Sequence, residues 1–372
     1  MKKLFMVVAL LCLGACGGNQ IGISETSLEE QIHQAEAVAL GGESADAKNL
    51  GLLDGVSVGD GMVKVSLNIP TSQGAVAARL YLSAECLLKQ DRRLVALVQG
   101  SLANGGGYYE ISIPGREGFN AARLFAKAGY CPLVVDGLGT GSSFHPEVGQ
   151  GVDSNDTAFS VAAVARPVAT ILGIPKWDVY GETGLGNNVA LVLARRHDVR
   201  SVVISTPFYR IFGLASGMLF DPGFRAFVAS IPYLPSDPAA FPPFFGPTYP
   251  DVLAAAIDSI VGPPPGAIPT GVFLELAAIP FSFDPAIGFT LEAPIQAAEP
   301  ARADALFIQG SPDPAGSEAG TAEQVAVYGA TGGGEAELVT LTGVSHLMRF
   351  DISNDGPASP FWSATLDFLS DH

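Results

Sequence analysis

The sequence predicts an α/β fold, in which a mostly parallel central sheet is flanked by helices. Five short apolar runs are each bounded by glycine, proline or aspartate, as buried parallel strands usually are; they lie at 94–98, 132–135, 177–180, 199–205 and 305–308. Helical patterns separate the first four of these runs, at 119–128, 158–172 and 188–196. Such alternation is typical of a sheet covered by helices on both faces.

Further strands are predicted at both ends of this unit. Residues 62–69 and 75–83 alternate between apolar and polar side chains and predict an antiparallel pair at a sheet edge. A last strand at 336–341 and a helix at 361–369 close the unit. Eight strands are therefore expected, of which the third to the eighth should form the parallel part.

The composition excludes several classes of partner and cofactor. The 372 residues include 20 basic and 37 acidic side chains, whereas binding of nucleic acid requires clustered lysine and arginine. Zinc, haem and dinucleotide-binding patterns are absent from suitable contexts, and the glycine run at 105–107 lacks a phosphate-binding fingerprint. We therefore expect no nucleic-acid partner, no metal and no cofactor.

The amino terminus has the features of an export signal. Two lysines precede an apolar run at 4–13, which is too short to span a bilayer, and small residues follow it. The stretch Leu13-Gly14-Ala15-Cys16 resembles a bacterial lipobox, in which the chain is cut before the cysteine and the cysteine is lipidated. This predicts removal of residues 1–15 and a lipid anchor on Cys16, outside the cytoplasm, at the periplasmic or outer face of the cell envelope. A plain signal peptide is the alternative.

Two regions are predicted to lie outside the α/β core of residues 57–206 and 301–372. Residues 16–56 are rich in Gly, Ser, Glu and Ala and predict a flexible spacer with a short helix at 29–39. Residues 207–300 break the strand–helix alternation and contain Phe-Pro-Pro-Phe-Phe at 241–245. This block is too long for a plain loop, and its apolar character predicts a cap that shapes a pocket. A packing appendage or an interface is the alternative.

A strand-to-helix turn at 177–191 contains the most specific motif of the chain. Its residues Gly181-Glu182-Thr183-Gly184-Leu185 resemble the G-x-S-x-G nucleophile turn of the α/β-hydrolase family. Thr183 stands in place of the usual serine, and Leu185 in place of the last glycine. The resemblance extends from residue 94 to the carboxyl terminus. It implies an α/β-hydrolase fold, a cap after the sixth strand, and a nucleophile, an acid and a histidine in that order along the chain.

The other catalytic positions implied by the resemblance can be assigned. His346 follows the last predicted strand, in a stretch that resembles the family's catalytic-histidine loop, whereas the other four histidines (His33, His145, His197 and His372) do not. Asp313 follows the seventh strand and is the expected acid, with Glu318 as the nearest substitute. The oxyanion donors would be the backbone N–H groups of Ser101 and Gly184.

Two further features follow from the resemblance. Residues 136–143 resemble the family's Asp-x-x-Gly-x-Gly-x-Ser turn after the fourth strand, which is structural rather than catalytic. The fold also places the end of the second strand near the start of the fourth, so that Cys86 and Cys131 are expected to form a disulfide. Two buried free thiols are the alternative.

Two functions remain open from the sequence. The first is an exported, lipid-anchored hydrolase that cleaves small-molecule or lipid-like carboxylic esters through Thr183, Asp313 and His346. The second is an inactive lipoprotein that binds an apolar ligand in the capped pocket, because the extra methyl group of threonine stiffens the side chain at a position that serine usually occupies.

Overall fold

A computed structural model describes most of the chain. It covers residues 25–40, 56–59, 61–100, 103, 105–207, 221–235, 238–261, 267–271, 281–284, 288–291, 300–311, 313, 318–330 and 333–372. The predicted signal peptide, Cys16, Ser101 and parts of the predicted cap lie outside these residues.

Thirteen strands occur in the described part of the chain. Seven precede the predicted cap: β1 (Val56–Gly59), β2 (Met62–Thr71), β3 (Gly74–Ser83), β4 (Leu94–Val98), β5 (Cys131–Val135), β6 (Trp177–Glu182) and β7 (Val199–Ser205). Four short strands follow: β8 (Tyr233–Pro235), β9 (Ala267–Pro269), β10 (Phe281–Asp284) and β11 (Gly288–Leu291). The last two are β12 (Asp304–Ser311) and β13 (Ala336–Thr342).

Nine of these strands form the central sheet, in the order β1-β2-β3-β5-β4-β6-β7-β12-β13. The three strands β1 to β3 pair antiparallel, and β3 is also antiparallel to β5. In the rest of this sheet, from β5 through β4, β6, β7 and β12 to β13, all neighbouring strands are parallel. The predicted α/β fold with a mostly parallel sheet is therefore confirmed, and the carboxyl ends of six strands meet at one edge.

Nine α-helices accompany the sheet in the described residues. They are α1 (Glu25–Ala39), α2 (Ala84–Leu87), α3 (Ala121–Lys127), α4 (Ser154–Ile171), α5 (Thr183–Leu193), α6 (Pro222–Ser230), α7 (Pro250–Val261), α8 (Glu318–Ala330) and α9 (Pro360–Asp371). Buried side chains of α1, α4 and α5 belong to one hydrophobic cluster, and those of α3 and α9 belong to a second. Helices therefore cover both faces. None of the described helices is long and apolar enough to cross a bilayer.

Polar side chains fix where several helices begin. Asp153 accepts hydrogen bonds from the N–H groups of Asn155 and Asp156, and the Asp156 side chain bonds back to the Asp153 N–H. This capping box satisfies donors that the first turn of α4 leaves unpaired. The Ser359 side chain caps α9 by accepting a hydrogen bond from the Trp362 N–H, and Pro360 follows it, whose fixed φ suits the first helical position.

Several elements differ from the prediction, among them α1, β1 and α8. Helix α1 begins earlier than expected and packs on β2, with Ile32 and Ala35 fully buried, so this part of the chain is not a flexible spacer. Strand β1 extends the sheet by one strand. Helix α8 was not predicted, because its inward-facing side chains include the polar residues Thr321 and Gln324 rather than an apolar stripe.

Between β7 and β12, no described residue joins the central sheet. This segment contains α6, α7 and two separate two-stranded sheets, β8–β9 and β10–β11. Its proline-rich stretch near α7 contacts the loop after β13, where the Leu347 N–H donates to the Phe244 carbonyl at 2.9 Å.

A disulfide joins Cys86 in α2 to Cys131, the first residue of β5, with 5.6 Å between their Cα atoms. This separation is ordinary for a disulfide. The register that pairs Leu80 with Leu133 brings the end of β3 beside the start of β5. The predicted Cys86–Cys131 disulfide is confirmed, and it depends on the expected adjacency of β3 and β5.

Candidate active site

The three predicted triad residues follow neighbouring parts of the sheet. Thr183 comes directly after β6, Asp313 after β12 and His346 after β13. Because these strands are parallel, their carboxyl ends lie at one edge. All three side chains are buried, at 9%, 7% and 3% exposure respectively.

Thr183 has an unusual backbone conformation. Its φ is +50°, a region that β-branched residues rarely adopt because of steric strain. Helix α5 begins at this residue, so Gly184 occupies its second position. The first N–H groups of a helix have no partner within the helix and attract negative charge. A strained turn at the end of a strand thus places a hydroxyl beside donors suited to an oxyanion.

The loop after β4 lies against this turn. A β-carbon at Gly100 would overlap the Thr183 Oγ1 atom. The Gly100 N–H donates to the Tyr108 hydroxyl at 3.1 Å. The Gln99 side chain donates to Thr140 Oγ1 at 2.9 Å and accepts from the Gly137 N–H at 3.2 Å. These bonds fix the chain immediately before Ser101, whose predicted N–H role lies outside the described residues.

Asp313 and His346 form a hydrogen-bonded pair. Both carboxylate oxygens lie 3.0 Å from His346 Nδ1. When Nδ1 carries the proton, this N–H donates a hydrogen bond to the carboxylate, and Nε2 is left as the basic nitrogen. Gln309 donates to Asp313 Oδ2 at 2.9 Å, and the Thr321 hydroxyl donates to the Gln309 amide oxygen at 2.8 Å. Gln309 and Thr321 therefore help to hold the Asp313 carboxylate, and the sequence did not predict their role.

The other histidines have different surroundings. His33 bonds to Glu36 on α1, and His372 bonds to the Phe368 carbonyl. His145 packs against Tyr233, with ring centroids 5.7 Å apart. His197 lines a cavity of about 350 Å³ with Lys176 and Arg302, near the amino ends of β6, β7 and β12. His346 is the histidine that this arrangement joins to Asp313.

No protein-family profile and no curated protein sequence matches this chain. Solved structures do. A thermostable carboxyl esterase from Bacillus coagulans is 14% identical, with a TM-score of 0.56, and the match covers 83% of this chain and 98% of the esterase. A lipase in its open form is 16% identical (TM-score 0.54), and E-2-(acetamidomethylene)succinate hydrolase is 17% identical (TM-score 0.53), with the same coverages.

The chain has the α/β-hydrolase fold. The turn at Thr183, which resembles the nucleophile motif of this fold, departs from that motif at Leu185, which is buried in the hydrophobic core. A β-carbon at Gly186 would lie 2.9 Å from the carbonyl oxygens of Val98 and Gln99, and one at Gly181 would overlap the Gly186 carbonyl. Gly186, rather than residue 185, therefore allows helix α5 to approach the sheet closely.

The insertion between β7 and β12 reaches the histidine. The ring centroid of Phe244 lies 5.6 Å from that of His346, and the Phe244 carbonyl accepts hydrogen bonds from the Leu347 N–H and the Ser345 hydroxyl. Phe241 and Phe244 are both buried. An aromatic side chain of the inserted segment, Phe244, therefore borders His346.

A buried ion pair adjoins the site and was not predicted. Arg349 Nε lies 2.8 Å from Glu182 Oε1, and the Tyr180 hydroxyl donates to the same oxygen at 2.5 Å. Burial, helped by the negative charge of Glu182, raises the pKa of Tyr180 well above its ordinary value, so its hydroxyl remains a donor at alkaline pH. No local sequence signal links Glu182 to an arginine 167 residues later.

The Asp136 turn has the structural role that its resemblance implied. The Asp136 carboxylate accepts two hydrogen bonds from Arg79 at 2.9 Å, one from the Gly106 N–H at 2.8 Å and one from the Ser142 N–H at 3.0 Å. Since a carboxylate occupies the Gly106 N–H, this amide does not serve a phosphate. The described residues contain no cluster of His, Cys, Asp or Glu suited to a metal ion.

Proposed function

We propose that this protein is an exported, lipid-anchored hydrolase of carboxylic esters. In this proposal Thr183 is the nucleophile, His346 the general base, and Asp313 the residue that orients the base. The backbone N–H groups of Ser101 and Gly184 stabilise the oxyanion.

One observation carries the proposal. The Thr183 hydroxyl stands at a turn with φ of +50°, at the same sheet edge as the hydrogen-bonded Asp313–His346 pair. Backbone strain of this kind persists only where the surrounding structure enforces it, and it is concentrated at functional sites. Nucleophilic acyl transfer requires a hydroxyl group and an oriented imidazole that can take its proton. The hydroxyl here belongs to the residue at the strained turn.

The proposed reaction has two steps. His346 Nε2 takes the Thr183 proton as Oγ1 attacks the ester carbonyl, and the resulting imidazolium then protonates the leaving alcohol. An acyl-threonine remains. Water then gives a proton to His346 and attacks the acyl carbonyl, and the proton returns to Oγ1 as the acid is released.

The substrate is proposed to carry an apolar acyl or alcohol part. Phe244 borders His346, and Phe241 lies in the same buried stretch. Aromatic walls with few polar groups favour ligands with apolar surface. Small-molecule and lipid-like esters both meet this requirement.

The anchor and the location rest on the amino terminus. The lipobox-like stretch ends at Cys16, which would carry the lipid. The Cys86–Cys131 disulfide fits this location, because disulfides persist in oxidising compartments such as the periplasm.

The deciding experiment uses the purified full-length protein in detergent. We expect turnover of p-nitrophenyl esters, labelling of Thr183 by a phosphonate, loss of both in Thr183→Ala, and equal or higher turnover in Thr183→Ser. Unchanged turnover in Thr183→Ala would refute the nucleophile. Absence of turnover and labelling in the wild type, together with saturable binding of an apolar ester, would instead establish the inactive binding protein.

A further inference from the structure

The Glu182–Arg349 ion pair connects two segments that carry triad residues. Glu182 directly precedes Thr183, and Arg349 follows His346 by three residues. The two side chains are almost fully buried, with exposures of 3% and 1%. The contact therefore ties the nucleophile turn to the histidine loop through the interior of the protein.

Arg349 also reaches the loop after β4. Its Nη1 atom donates to the Phe119 carbonyl at 2.9 Å, and its Nη2 atom donates to the Tyr108 carbonyl at 3.3 Å. Tyr108 in turn accepts the Gly100 N–H, and Gly100 lies against Thr183 Oγ1. The Arg349 guanidinium thus contacts Glu182 in the nucleophile turn and two carbonyl groups in the loop after β4, and Arg349 itself belongs to the histidine loop. These are the segments that the proposed reaction uses, apart from the Asp313 segment.

Aromatic rings surround this guanidinium. Its carbon lies 4.1 Å from the ring centroid of Phe350, 4.9 Å from that of Tyr108 and 5.1 Å from that of Tyr109. Planar guanidinium groups stack on aromatic faces and make several directed hydrogen bonds at once, which lysine does not. Burial is the largest single influence on Arg349 and opposes its charge, but the charge and hydrogen bond of Glu182, together with Tyr108 and Tyr180, outweigh it and raise the arginine pKa. The guanidinium is therefore charged, and its hydrogen bonds and ring contacts hold it in one orientation.

A purely structural role does not account for this arrangement well. Burying two charges removes them from water at a cost, and apolar side chains of similar volume often stabilise a protein as well or better. The contacts of Arg349 are instead directed at backbone carbonyls and at the residue before a strained threonine. Such contacts restrict relative movement of the segments they join.

We propose that Glu182 and Arg349 are positioning residues that hold the nucleophile turn, the Gly100 segment and the histidine loop in the geometry needed for attack. This inference rests on the proposed function. Since a displacement of about 1 Å can lower a rate by about a hundredfold, loosening these segments affects kcat more than binding.

The test compares two buried ion pairs on the same strand. Glu182→Gln with Arg349→Met removes both charges together, leaves no unpaired charge and retains an acceptor for Tyr180. The matched control is Asp178→Asn with Arg93→Met, at the amino end of β6, where Arg93 lies 2.9 Å from Asp178 and Ser201 donates to the same carboxylate. Both double variants are compared by urea unfolding and by ester kinetics.

We expect kcat of the Glu182→Gln/Arg349→Met variant to fall about a hundredfold, with KM little changed and phosphonate labelling slowed in parallel. The control pair should retain wild-type kcat at a comparable loss of stability. An unchanged kcat in the folded Glu182→Gln/Arg349→Met variant, or equal losses in both pairs, would overturn the positioning role while leaving ester hydrolysis intact. A wild-type protein without turnover would overturn both proposals.

A second variant keeps the test decisive if the first does not fold. Arg349→Lys preserves the charge beside Glu182 but loses the planar fork that reaches the Phe119 and Tyr108 carbonyls. Reduced kcat with unchanged KM is expected here as well. Wild-type kcat in this variant would count against positioning by Arg349.

Discussion

Gly100 and Thr183 touch so closely that no side chain fits between them. A β-carbon at residue 100 would overlap the Thr183 Oγ1 atom and lie 3.0 Å from the Glu182 carbonyl oxygen. The loop after β4 therefore approaches the threonine hydroxyl with its backbone, and no side chain intervenes.

Replacement of Gly100 by alanine should lower ester turnover by at least about tenfold, because the added methyl displaces Thr183 Oγ1 from the position in which we propose that it attacks the ester. Gly107→Ala is the matched control, since a β-carbon there meets nothing within 4 Å. Activity and urea unfolding of both variants distinguish a local effect from a loss of stability. Equal activities would show that the Gly100 contact is unimportant.

Asp313→Asn should reduce kcat by about 10⁴-fold while leaving the fold intact, because an amide no longer holds the proton on His346 Nδ1. His145→Ala serves as the histidine control and should retain activity, since His145 packs against Tyr233. Steady-state kinetics of both variants give the answer. Full activity in Asp313→Asn would exclude this residue as the acid of the triad.

Removal of the disulfide should cost stability. The bridge closes a 45-residue separation, and a double replacement of Cys86 and Cys131 by alanine should lower the free energy of unfolding by about 2–4 kcal/mol. Urea unfolding of the variant and of the oxidised wild type measures the difference. Thiol titration of the denatured, unreduced wild type is the second measurement, and two freely reacting thiols would contradict the bridge.

Lipidation of Cys16 should make the wild-type protein sediment with membranes and require detergent for release, because several acyl chains anchor a protein firmly. Cys16→Ser should block processing at this site, since the lipid is attached through the thiol. Cell fractionation and mass analysis of the amino terminus test this. A soluble wild-type protein with an unmodified amino terminus downstream of Cys16 would rule the anchor out.

The sequence predicted the sheet well because its strands are short apolar runs between Gly, Pro and Asp. The family resemblance singled out Asp313 and His346 after the seventh and eighth predicted strands, and the structure brings these two side chains into contact. Helix α8 escaped prediction because it buries Gly320, Thr321 and Gln324, which give no apolar period.

The supporting contacts of the site could not be read from the sequence. Glu182 and Arg349 lie far apart along the chain and meet only because the ends of β6 and β13 share one sheet edge. Gln309 reaches Asp313 from within β12, where a polar residue in an apolar strand gave no indication of its partner. Long-range pairing of this kind depends on tertiary structure rather than on local pattern.

The docking of α1 on β2 limits the distance between the α/β domain and a lipid on Cys16. Ile32 and Ala35 are fully buried, so only the eight residues 17–24 separate such a lipid from the folded protein. A fully extended chain of that length reaches about 28 Å. An anchored molecule would therefore stay within a thin layer of solvent at the bilayer surface. Esters that partition into the membrane or diffuse along it would encounter this molecule more often than esters dissolved in the surrounding solution.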